Sequence, residues 1–199
     1  MQVFLPLPNV HDSLNCLDNQ RLNKQILEIR QILDVILNKH SAWANHPATL
    51  MIRGFESFGA YYGLAACEVA KSKGIMCEIS EVVLGNFVKI FDLSINAPTY
   101  PFWFGDDNFH RSHRAKLLYK GRVDAVCYSL RRGLGVRSIN EWLKDNNYPP
   151  KNQLMLDQTI SLEIFAKDNK IEVMPNHYRQ FGWTESDDNL VPYYWPVRK

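Results

Sequence analysis

Apolar residues recur at helical spacing along most of the chain, most clearly between Cys16 and Leu37. Leu22, Ile26, Ile29, Leu33 and Ile36 are separated by steps of four and three, so they form one stripe on a helix predicted from about Asp18 to Lys39. Arg21, Lys24, Glu28 and Gln31 recur at steps of three, four and three and share another face. That polar face has two readings. It is a catalytic face, or it is a solvated face with one Lys24–Glu28 pair worth about 0.3–0.5 kcal/mol.

The same pattern predicts the neighbouring elements. Met1 to Val10 is apolar and interrupted by Pro6 and Pro8, which excludes a regular helix and favours an extended arm. Asp12 or Ser13 is the expected cap of a short turn after it. HSAWANHP, residues 40–47, reads as a loop, and Pro47 suits the first turn of a second helix. Apolar recurrence carries that helix from Ala48 to Lys73, with Gly74 as its stop. A third helix is expected from Cys77 to Phe91, then a loop from Asp92 to Asp107 with two prolines and several rings. Asp107 or Asn108 is the expected cap of FHRSHRAKLLYKG.

Beyond Gly121, Val123, Val126, Cys127 and Leu130 make another stripe, ending at Gly133 or Gly135. Ser138 and Glu141 have capping-box spacing before INEWLKDNN, and Leu154 to Phe165 reads as a further helix. The tail, Met174 to Lys199, is rich in proline and aromatics and reads as a packed irregular segment. No alternating strand ladder or repeat is present. The expected architecture is mainly α: a compact helical bundle with long, irregular, aromatic-rich loops and tail. It is expected to be a single domain over residues 1–199, with residues 121–175 a helical insertion.

Composition narrows the function classes. The 199 residues are 46% hydrophobic and 22% charged, enough for a real core. A net charge of +2 supplies no global field for nucleic acid, so any such contact must be a local patch. The four cysteines are far apart with no Cys-x-x-Cys, which reads as reduced, buried thiols in a cytoplasmic protein rather than a disulfide or zinc framework. The first residues lack a signal-peptide pattern, and no apolar run approaches transmembrane length.

The densest local charge is FHRSHRAKLLYKG. His110, His113 and Arg114 share a helical face, which Arg111 and Lys116 extend. Phosphate binding is the functional reading and a solvated basic helix the alternative. His110 and His113 with Asp106 or Asp107 also hint at a metal, but no third ligand stands at a defined spacing, so no metal is expected. His46, beside Asn45 and Trp43, either serves a phosphate or sugar oxygen or satisfies a loop backbone. Arg53 lies seven positions on and points to the same end of the fold. The rings of Tyr100, Phe102, Trp103 and Phe104 either stack on bases or plug the core. No glycine-rich phosphate loop, nucleophile elbow or dinucleotide fingerprint is present.

Several blocks together resemble one family. CLDNQRLNKQILE, WANHPATLMIRGFESFGAYYG, PFWFGDDNFHRSHRAKLLYK, HYRQFGW and VPYYWPV are similar, in order, to the pyrimidine-dimer DNA glycosylases, relatives of phage endonuclease V. The resemblance spans about residues 1–120 and 176–199 and is silent on the section between. It implies a small, mostly helical fold acting on ultraviolet-damaged duplex DNA without metal or other cofactor. It also implies a glycosylase step, and possible strand cleavage at the resulting abasic site. The family's nucleophile is the N-terminal amine, which attacks the sugar C1′ and forms an imine, assisted by a glutamate of the first helix. The family's glutamine-to-glutamate spacing falls on Gln20 and Glu28, so the implied catalytic set is Glu28, the Met1 amine and His46. Arg21, Lys24, Asn45, Arg53, His110, Arg111, His113 and Arg114 are the implied DNA contacts.

The chain departs from the family at Gln2, which is too large for ordinary methionine removal and leaves the amine on Met1. It departs again at Leu27 and Gln31, where the family carries arginines, so the phosphate grip passes to Arg30 or to the His110–Arg114 helix. The resemblance implies double-stranded DNA as partner, no membrane, a monomeric state and a cytoplasmic location, the host cytoplasm if phage-encoded. A base-modifying transferase on the same scaffold and a non-catalytic DNA-binding protein are the alternative functions.

Overall fold

The computed structural model describes residues 2–38, 43–135 and 139–184, and over these the chain is helical, with no strand. The arm is extended as expected through Pro6. It leads into α1 (Val10–Asn15), which Asn9 caps by accepting from the Asp12 amide at 3.0 Å, in place of Asp12 or Ser13. Asp18 then caps α2 (Asn19–Leu37), its Oδ1 accepting from the Arg21 amide at 2.9 Å. The predicted stripe is buried through Leu22, Ile26, Ile29 and Leu33, with Ile36 half-buried at its end.

The single helix predicted from Ala48 to Lys73 is two, α3 (Pro47–Ile52) and α4 (Glu56–Ser72). Gly54 breaks it with φ +83, a conformation that costs a glycine little and most residues much. Apolar recurrence continues across the break because both pieces face one core, which hid it from the periodicity. α4 packs closely on its neighbours through Gly63. A Cβ there would lie 3.0 Å from Leu84 and 3.1 Å from Ile29. α5 (Glu78–Ile90) matches its predicted span.

The last long helix, α6 (Asp107–Leu134), has Asp106 before it in place of the expected caps Asp107 or Asn108, and Asp106 Oδ1 accepts from the Asn108 amide at 2.9 Å. It runs unbroken through Gly121, where a Cβ would meet Asn176 Oδ1 at 2.2 Å. That glycine admits a packed side chain rather than ending a helix. Gly135, with φ +65, follows the true end.

The chain forms two compact units, one extending to His113 and the other beginning at Arg114. In the first, α2 lies against α4, flanked by α1, α3 and α5. Trp103 plugs this core: it is buried, packs edge-on to Phe58 at 5.8 Å, and donates to the Met51 carbonyl at 3.3 Å. Of the same loop, Tyr100 and Phe102 remain exposed.

In the second unit, α6 from Arg114 onward, α7 (Ile139–Asp145) and α8 (Leu156–Asp168) enclose Val126, Leu130, Trp142, Leu143 and Leu162. Arg122 grips Glu163 through two bonds of 2.6 Å. In the tail, a 3-10 turn (His177–Phe181) buries Tyr178 and stacks it on Trp183. Ser138 and the VPYYWPV block lie outside the described residues.

All four cysteines are buried, and none is in a disulfide. Burial pushes Cys16 and Cys127 up to about 11 and Cys67 up to about 12, which leaves them protonated and unreactive at neutral pH. Among the described residues no helix is long and apolar enough to cross a membrane.

Candidate active site

The apolar stripe of α2 carries two polar residues that are nonetheless buried, Gln25 and Glu28. A buried carboxylate and a buried amide are costly unless bonded, and their partner is the N-terminal arm. The Gln2 amide donates to Glu28 Oε2 at 2.9 Å, and the Phe4 amide donates to Gln25 Oε1 at 2.7 Å. Tyr62 of α4 completes this edge. Its hydroxyl is 3.0 Å from the Phe4 carbonyl and 2.9 Å from Gln25 Oε1, so its one proton has two acceptors to serve. Burial and the Glu28 charge push the Tyr62 hydroxyl well above its ordinary range, so it stays a donor.

The histidines of α6 hold the other edge. The Leu5 amide donates to His113 Nδ1 at 2.9 Å, and His110 Nδ1 lies 2.7 Å from the Leu5 carbonyl. His110 Nε2 in turn accepts from the Gly105 amide at 3.1 Å, so its proton sits on Nδ1 and the ring is neutral. Both histidines are buried. Burial, with His110 adjacent, lowers His113 to about 3. The expectation that this pair contacts phosphate is therefore corrected. Their ring nitrogens carry no charge at neutral pH, and the Nδ1 atoms are committed to the arm backbone. Among the described residues no three His, Cys, Asp or Glu side chains converge as a metal site.

His113 makes the fold acid-sensitive. Its folded pKa lies below the unfolded value of 6.5, so the unfolded chain binds the extra proton between them. Stability is full above pH 6.5 and is lost as pH falls toward 3, by up to about 1.4 kcal/mol per pH unit. His113→Asn keeps an acceptor for Leu5 and cannot titrate. Urea midpoints measured from pH 7 to 4 will fall less steeply in this variant, and equal slopes would refute the assignment.

The remaining site residues divide into groups. Glu28 is only 8% exposed, while Lys24, whose Nζ stands 3.8 Å from Glu28 Oε1, is mostly exposed. Their attraction is weak. Arg21 is committed to Asp18 at 2.5 Å, and Gln31 is exposed. The four residues do not form one solvated face, because the arm covers Glu28.

His46 caps α3, its Nδ1 accepting from the Ala48 amide at 3.1 Å, which places the ring proton on Nε2. Burial lowers its pKa, and the nearby Glu28 charge opposes that shift. Trp43 packs edge-on to His46 at 5.5 Å, and Arg53 folds back to donate to the Ala44 carbonyl at 2.7 Å. Trp43, Asn45, His46 and Arg53 thus gather at the start of α3, against α2. Arg111 is half-exposed on α6 in the first unit, and Arg114 opens the second. Met1 lies outside the described residues.

Gln25 and Tyr62 are site residues that pattern reading missed. The available signal was a lone glutamine between Leu22, Ile26 and Ile29 on an otherwise apolar stripe.

Residues 1–79 match the model of the family described as pyrimidine dimer DNA glycosylase. The matched segment holds the arm, α1 to α4, Gln25, Glu28, His46 and Tyr62. No curated protein and no solved structure matches the chain.

Proposed function

We infer, from the match of residues 1–79 to the pyrimidine dimer DNA glycosylase family model, that this protein is a DNA-repair glycosylase acting on a damaged or modified pyrimidine. We further propose that it works through its N-terminal amine and Glu28. The observation that carries this mechanism is the bond from the Gln2 amide to Glu28. Covalent geometry keeps the nitrogen of any residue within about 3–4 Å of the next amide nitrogen. The proposed nucleophile, a free amine on Met1, is one residue from that amide along the chain.

The chemistry follows from that juxtaposition. An α-amine has an ordinary pKa of about 7.7–8.0, so much of it is neutral and nucleophilic at physiological pH. It attacks the sugar C1′, and the glycosidic bond breaks with the electron pair leaving on the base. Glu28 stabilises the cationic sugar as charge develops. Loss of an amine proton leaves an N-glycosylamine, whose nitrogen lone pair then expels the ring oxygen O4′, which takes up a proton, so that the opened sugar is held as a protonated imine. In a subsequent lyase step Glu28 takes a C2′ proton and the 3′ phosphate leaves. His46, with its proton on Nε2, donates to a sugar or phosphate oxygen. Lys24, Arg53 and Arg111 contact the backbone of a duplex whose target nucleotide is extruded.

Borohydride trapping tests the reading. The protein incubated with an abasic-site duplex and borohydride will form a covalent adduct, and ultraviolet-irradiated duplex will release a pyrimidine product. Absence of both would reject it and favour a base-modifying or purely binding role.

A further inference from the structure

We propose that Gln25 is a positioning residue that locks the N-terminal arm and the Glu28 carboxylate into one geometry, and so governs the rate of the reaction they perform. This rests on the amine and Glu28 reading above.

The arm is an extended segment with no neighbouring strand among the described residues, yet it is buried from Gln2 to Pro6. Its polar backbone groups cannot be left bare, and side chains take the place of a β partner. Glu28, Gln25 and His113 accept from the amides of Gln2, Phe4 and Leu5, while Tyr62 and His110 approach the carbonyls of Phe4 and Leu5. Gln25 joins the arm directly to Glu28. Its Oε1 accepts from Phe4, which turns its Nε2 toward Glu28 Oε2 at 3.4 Å.

The amide orientation follows from this network, since the Phe4 N–H that meets it can only donate. Leucine would fill the same place without burying an amide. A hydrogen-bonded group between the nucleophile-bearing segment and the reacting carboxylate removes the freedom that a near-attack geometry cannot tolerate.

Two substitutions separate positioning from packing. Gln25→Leu removes the contacts with Phe4, Tyr62 and Glu28. Gln25→Glu keeps an acceptor for Phe4 and, with one proton shared between the two carboxylates, keeps a donor to Glu28. Once both carboxylates ionise, the like charges repel and the clamp is lost. The titratable groups facing this site are Glu28 and Lys24 on α2, His46 at the start of α3, Tyr62 on α4 and His110 and His113 on α6.

The readouts are the borohydride-trapping rate on an abasic-site duplex and the dissociation constant of that duplex, each at pH 6 and pH 8, with thermal unfolding as the check on folding. Gln25→Leu will trap at least tenfold more slowly at both pH values, with the dissociation constant within twofold of the parent. Gln25→Glu will recover most of the rate at pH 6 and lose it at pH 8, where the parent gains rate as its amine deprotonates. If Gln25→Leu does not fold, the pH reversal in Gln25→Glu decides alone. A folded Gln25→Leu trapping at the parental rate would overturn the proposal, as would a Gln25→Glu variant that follows the parental pH profile. Failure of the parent itself to trap would instead reject the reaction assigned above.

Discussion

Glu28→Gln will lose strand cleavage and adduct formation by about 10²–10⁴-fold, the range typical of an essential general acid or base. The substitution keeps an oxygen for the Gln2 amide, so the arm stays docked and only charge and basicity are lost. Duplex affinity will change little, because Glu28 is buried and repels rather than grips phosphate. The thermal midpoint will hold or rise. A buried carboxylate with one exposed ammonium at 3.8 Å is poorly compensated, and a neutral amide of the same shape removes that burden. Activity falling while stability does not is the pattern of a group kept for chemistry. Cleavage of abasic duplex, the dissociation constant and the melting temperature measure the three effects. Cleavage at the parental rate would end the catalytic assignment.

The second large effect concerns the amine. One glycine added before Met1 converts the Met1 nitrogen to an amide, which has no basic lone pair, and moves the new amine about 3.8 Å along the chain. The extended protein, its terminus verified by intact mass, will bind duplex within a few-fold of the parent and form no borohydride adduct. Acetylating the terminus will do the same without changing chain length. An adduct formed at the parental rate by the acetylated protein would place the nucleophile on a side chain.

These two expectations draw on different levels of the molecule. Glu28 was visible in the sequence through its register with Gln20 in the matched family blocks, and α2 was visible through Leu22, Ile26, Ile29 and Leu33. His46 was visible as the residue before Pro47, and its capping bond to Ala48 is a local one. The break at Gly54 was not legible, because apolar spacing persisted across it while a single backbone angle changed. His110 and His113 were misread because their charge-rich neighbours Arg111 and Arg114 suggested a phosphate surface. Adjacent positions on a helix point about 100° apart, and it is the histidines that face inward.

What the sequence determined by itself is local: where helices run, where most start and stop, and which stripe of each is apolar. Those features arise from spacings of three and four and from caps a few residues long. What only the tertiary structure decided is which polar residues the arm covers. Gln25, Glu28, His110 and His113 reach Phe4, Gln2 and Leu5 across 21, 26, 105 and 108 positions of chain. No local period encodes contacts of that range. They exist because burying a lone extended segment leaves amides and carbonyls that must be bonded, and the side chains able to bond them are the ones the packed helices bring to its two edges.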